Sequence, residues 1–134
     1  VVSISQFISS YNDSFEFKFV DPSKLTKKEK QVFELTNTIL SFIGGKPKQV
    51  KNILISSTMR KDFFAEHETV GVWDQKTQSI VILRKMLRTI KDYSGTLIHE
   101  ALHAKFEVGD VSRDFEHELT VAIGQICEAA LTKK

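Results

Sequence analysis

Only one cysteine, Cys127, stands in the 134 residues, so no disulfide framework is available to hold the fold. Set among apolar residues at helical spacing, its thiol is expected in the core rather than as a nucleophile. No stretch approaches the roughly 18 consecutive apolar residues of a membrane-spanning helix, so no membrane is expected as a partner. The first residues, Val1-Val2-Ser3, have neither the basic start nor the apolar run of a signal peptide. The chain also lacks an initiator Met, which reads as a piece of a longer protein, and a cytoplasmic location is the simplest expectation. A large excess of one charge is missing too. The net charge of +2 argues against a nucleic-acid binder. The lysines that do cluster (Lys24, Lys27, Lys28 and Lys30; Lys46, Lys48 and Lys51) have no interleaved aromatics and are expected to be solvated faces.

The chain has 41% hydrophobic residues, enough apolar material for one domain over 1–134 with a single core. Repeats, low-complexity tracts and linkers are missing. Charge is unevenly placed, with fifteen Lys/Arg against nine Asp/Glu in residues 1–91 and four against eight in residues 92–134. The acidic part contains the one stretch with evident chemistry, His99-Glu100-Ala101-Leu102-His103. On a helix, histidines four apart share a face and can hold one metal ion, with the glutamate beside them. A zinc ion takes imidazole nitrogens at about 2.0–2.1 Å and lowers the pKa of a bound water to about 7, and a neighbouring carboxylate can then accept that water's proton. Chance would produce such a pattern in a chain of this composition roughly once in a hundred. Thr96-Leu97-Ile98 before the motif and Ala101, Leu102 and Ala104 within and after it are uncharged, as a buried helix requires and a solvated one does not.

Periodicity places this helix among others. Ser3 to Gln6 opens a short amphipathic helix through Tyr11, and Phe15, Phe17 and Phe19 alternate as a strand with a buried face. After Pro22, Thr26 and Glu29 form a capping box for a helix with Val32, Phe33, Thr36, Ile39, Leu40 and Ile43 on one side. Gly44-Gly45 stops it, and Pro47 prevents its resumption. Val50 and Ile53-Leu54-Ile55 read as an interior strand, and residues 57–68 as a long connection of the kind that often carries function. Val70 to Trp73 and Ile80 to Leu83 read as antiparallel strands about a polar turn, with Gly71 marking a bulge or a close approach of another backbone. Met86 to Ile90 is a helical turn. Asp92 or Ser94 is expected to cap the motif helix, which ends at Gly109. Ser112 then caps a last helix with Phe115, Leu119, Ala122, Ile123, Ile126 and Ala130 apolar.

Two histidines do not complete a catalytic zinc site, which usually has three protein ligands. If Gly109 to Val111 is a tight reversal, the flanking helices run antiparallel. His103, six residues before Gly109, and Glu118, six residues after Ser112, then lie level about 9 Å from the turn. Glu118 shares a face with Phe115 and Ala122, the placement of a ligand. Asp114, one turn nearer the bend, is placed to orient a histidine Nδ1–H, and Glu116 is a further carboxylate of the stretch, so the third position stays open among the three.

Gly71-Val72-Trp73-Asp74, Ile80 to Arg84, Thr96 to Ala104 and Asp110 to Thr120 together resemble the gluzincin-type zinc peptidases. More narrowly they resemble the zincin-like carboxy-terminal segment of some bacterial proteins that begin with a GHKL ATPase domain. The resemblance implies zinc on His99, His103 and a glutamate of the last helix, Glu100 as base, and a strand edge as peptide-binding rim. It also implies an ATPase portion outside this chain. The expected fold is α+β, a small and mostly antiparallel sheet packed on helices in a zincin-like arrangement. The expected function is zinc-dependent hydrolysis of a peptide or protein substrate. A zinc-stabilised, catalytically inactive docking or regulatory module of a larger ATPase protein is the alternative.

Overall fold

A strand that is buried at every position has to be covered on both faces, and β3 (Ser79–Leu83), apolar from Ile80 onward, is buried at all five residues. In this computed structural model, which describes residues 16–59, 70–106 and 113–132, β3 lies between β1 (Asn52–Ser56) and β2 (Gly71–Asp74). β2 pairs with β3 antiparallel, Val72 opposite Val81, as the hairpin reading expected. β1 pairs with β3 parallel, Ile53 opposite Ile80 and Ile55 opposite Ile82. The sheet is therefore mixed, and the expectation of a mostly antiparallel one is corrected. The chain leaving β1 passes one strand position through the connection from Ser57 to Val70, and β3 returns into the gap beside β1 and parallel to it. β1 is accordingly an outer strand of this sheet, where an interior one was expected.

The pleat sorts side chains to two faces. Ile53, Ile55, Ile80, Ile82 and Trp73 meet the helices in the main core. Val72, Val81 and Leu83 form a smaller cluster on the other face with Met59 and Phe17. Residues 16–20 run along the end of β1 through Val20 N–H to Ile55 carbonyl (2.8 Å) and Ser57 N–H to Lys18 carbonyl (2.9 Å). The buried Ser56 hydroxyl also accepts the Lys18 N–H at 2.9 Å. This segment makes a single bridge, Phe19 opposite Ser56. Phe19 is 57% exposed, so the expected strand with a buried aromatic face is not formed there; Phe15 lies outside the described residues.

The capping box forms as read. The Thr26 hydroxyl accepts the Glu29 N–H at 3.2 Å, and the Glu29 carboxylate accepts the Thr26 N–H at 2.8 Å. The helix it opens is broken in two, α1 (Lys27–Phe33) and α2 (Thr36–Ser41), where one was expected. Thr36 causes the break by donating its hydroxyl proton back to the Phe33 carbonyl, which competes with the helical ladder. With that proton committed, the Tyr93 hydroxyl donates to Thr36 Oγ1 at 2.7 Å. Gly44 and Gly45, with φ of 95° and 101°, end α2, and the Gly45 N–H closes onto the Leu40 carbonyl at 2.9 Å.

A 3₁₀ turn, Arg84–Arg88, leads from β3 into α3 (Ile90–Phe106), and α4 (Arg113–Thr132) closes the fold. The cap of α3 is Thr89, whose extended backbone suits that position and whose hydroxyl accepts the Asp92 N–H at 3.0 Å. It is neither of the expected caps, Asp92 or Ser94. On α4, of the apolar positions read for the last helix, Leu119, Ala122 and Ile126 pack on the core while Ile123 and Ala130 are exposed. The expected first helix around Ile4 to Tyr11, residues 60–69 of the long connection, the Gly109 turn, the Ser112 cap and the Cys127 side chain lie outside the described residues. Lys24, Lys27, Lys28, Lys30, Lys46, Lys48 and Lys51 are all exposed, as expected of solvated faces. No described helix is long and apolar enough to cross a membrane.

Arg84 ties the end of β3 to the start of α1 through a bidentate pair with Glu29, Nε to Oε2 and Nη2 to Oε1, both 2.9 Å. The guanidinium, helped by the Thr26 N–H, lowers the Glu29 carboxyl from 4.5 to about 2. A depressed folded-state pKa contributes stability above about pH 4.5 that is lost as pH falls toward 2. Glu29→Gln is expected to cost about 1 kcal/mol at pH 7. Its melting-temperature profile should converge on that of the wild type as pH falls from 4.5 to 2; curves that stay parallel through that window would contradict the assignment.

Candidate metal centre

At about 100° per residue, Thr96, His99, Glu100 and His103 fall within one arc of α3 about 100° wide. The adjoining arc carries Tyr93, Leu97, Ala101 and Ala104, all fully buried in the main core. The Tyr93 hydrogen bond to Thr36 and its edge contact with the Phe33 ring, 6.2 Å between centroids, fix the rotation of the helix against α1 and α2. Burial also pushes the Tyr93 hydroxyl up to about 12, so it stays a proton donor across the physiological range. The helix is therefore packed on the core along that arc and is not solvated all round.

The two imidazoles converge. Nε2 of His99 and Nε2 of His103 are 3.2 Å apart, with ring centroids at 4.8 Å and planes at 73°. Two nitrogens at 2.0–2.1 Å from one tetrahedral ion stand about 3.3 Å apart, so the spacing of the two Nε2 atoms matches that of a pair of zinc ligands. The His99 side chain remains 41% exposed, so that imidazole is partly open to solvent. Glu100 is buried, at 8% exposure, and its Oε2 stands 4.0 Å from His99 Nε2. That separation is too long for a direct hydrogen bond and places the carboxylate beside the nitrogen pair.

β2 supplies the wall next to Glu100. Its ladder with β3 is regular through Gly71, so there is no bulge. The close approach expected at Gly71 is to side chains of α3 and not to another backbone. A Cβ built there would lie 2.6 Å from Thr96 Cγ2 and 3.2 Å from Glu100 Cγ.

Three of the four residues expected at the site, His99, Glu100 and His103, are thus brought together on α3. Glu118 lies on α4 one turn before the buried Ala122, and its side chain, with those of Asp114 and Glu116, lies outside the described residues. His117 is exposed, and among the described residues no third His, Cys, Asp or Glu completes a group with the histidine pair. Sequence reading did not single out Thr96 or Tyr93 for the site. Their spacing carried a signal, since Thr96 is one turn before Glu100 and Tyr93 two turns before it. Set beside known proteins, the chain matches no family, no curated protein and no solved structure.

Proposed function

We propose that the chain is a zinc-dependent peptidase domain in which His99 and His103 hold the ion, a carboxylate of α4 completes the site with Glu118 the first candidate, and Glu100 is the general base. The observation that carries the reading is the 3.2 Å Nε2 pair with a buried carboxylate 4.0 Å from one member. A bound zinc ion would supply Lewis-acid polarisation of a carbonyl and a water acidified to near neutrality. Glu100 takes the proton of the attacking water and returns it to the departing amine, a carboxylate's part in general acid–base catalysis. Its neighbours fix the carboxylate's position, and its burial keeps competing solvent from it.

The sheet edge supports a peptide as substrate. The Leu83 N–H bonds to the Val70 carbonyl at 2.8 Å, which sets the phase of the ladder. Val72 and Asp74 then face β3, and the main-chain groups of Gly71 and Trp73 face the outer edge of β2. Among the described residues no strand pairs with that edge. A substrate strand added there by β-augmentation would pass Gly71 and, beside it, Glu100.

Metal analysis of the purified chain is expected to find one zinc ion, and chelation to lower the melting temperature, since ligands from two helices meet only in the folded chain. No shift on removing verified zinc would mean that the ion sits on a surface site uncoupled from folding. Glu100→Gln is expected to keep zinc and lose turnover by about 10²–10⁴-fold, and His103→Ala to lose both. Zinc in place with no cleavage across a diverse peptide library would favour the docking module of a larger ATPase protein instead.

A further inference from the structure

We infer that Gly71 is a positioning residue for Glu100: the absence of a Cβ on β2 leaves the space that the Glu100 side chain occupies, and so sets where its carboxylate lies beside the histidine pair. This rests on the proposed role of Glu100 and adds a strand residue to what sets its position. Backbone conformation does not ask for glycine here. Gly44 and Gly45 are the described glycines with positive φ, and Gly71 is not among them. Gly71 opens β2 and is paired with Ile82, and a paired strand position gains little from glycine, which has no side chain to pack and the most entropy to lose. Space is the remaining reason, and it has two parts. A Cβ would stand 2.6 Å from Thr96 Cγ2, the methyl of a side chain that is stiff at χ1 in a helix, so strand and helix would have to separate. It would also stand 3.2 Å from Glu100 Cγ and 3.5 Å from Glu100 Oε2. The first contact concerns the spacing of β2 and α3. The second bears directly on the carboxylate held 4.0 Å from His99 Nε2.

Thr96→Ser deletes the Cγ2 atom and so removes the first contact while leaving the second. In metal-free Thr96→Ser protein, Gly71→Ala is expected to lower the melting temperature by about 3–8 °C. Adding Glu100→Ala, which removes Cγ and Oε2 together, is expected to abolish that drop. An equal drop with and without Glu100→Ala would make Gly71 a spacer for the helix alone, and the absence of any drop would show that Glu100 is not held; either overturns the inference. In the zinc-loaded protein, Gly71→Ala with Thr96→Ser is expected to leave zinc affinity within about twofold while kcat falls about tenfold or more and KM changes little. A parallel loss of zinc affinity, or kcat equal to that of Thr96→Ser alone, also overturns it. The melting measurements need neither metal nor substrate, so they decide on Gly71 even if the wild type cleaves nothing and the peptidase reading fails.

Discussion

The arrangement depends on one constraint: α3 has to bury two adjoining arcs of its surface at once. The apolar arc of Tyr93, Leu97, Ala101 and Ala104 is satisfied by the core, as any amphipathic helix requires. The second arc holds Glu100, and a buried carboxylate is costly unless its surroundings compensate. β2 solves the steric half of this with a glycine, which lets the strand come down onto Thr96 and Glu100. Tyr93 prevents the helix from rolling away, because its hydroxyl is tied to Thr36 at the break between α1 and α2. The histidines stand at the border of the second arc, close enough to converge and open enough to be reached.

Two carboxylates stand in contrasting environments. Glu29 accepts two bonds from Arg84 and one from the Thr26 N–H, and its pKa, lowered to about 2, keeps it ionised at neutral pH. It is thereby committed to holding β3 against α1. Glu100 is buried, with its Oε2 4.0 Å from Nε2 of the partly exposed His99, beside the imidazole pair. A carboxylate placed so suits proton transfer, where the first suits fixing a fold.

Much of this was legible in the chain itself. The capping box of Thr26 and Glu29, the Gly44-Gly45 stop, the hairpin about Gln75 to Gln78 and the buried flanks of the His99 to His103 stretch rest on local spacing, and local physics decides them. The parallel pairing of β1 with β3 is a non-local choice made by which strand position the chain passes over, and no periodicity encodes it. The break at Thr36 was missed because the same residue fits a helix pattern and also offers a hydroxyl that competes with it. Phe19 alternates correctly for a strand yet is exposed: among the described residues a single bridge forms there, and the ring leans on that of Phe17 at 5.6 Å rather than on a sheet face. At the site, helical spacing placed the two imidazoles together. It gave Gly71 as a point of close approach without saying that the partners would be Thr96 and Glu100.

The central claim is that the Nε2 atoms of His99 and His103 are brought together to share a metal ion. Anomalous diffraction at the zinc edge, on crystals of the zinc-loaded protein, tests it most directly. One ion is expected at about 2.0–2.1 Å from both Nε2 atoms, with a carboxylate oxygen of α4 as a further ligand. Zinc bound elsewhere on the chain, or through one histidine alone, would contradict the account.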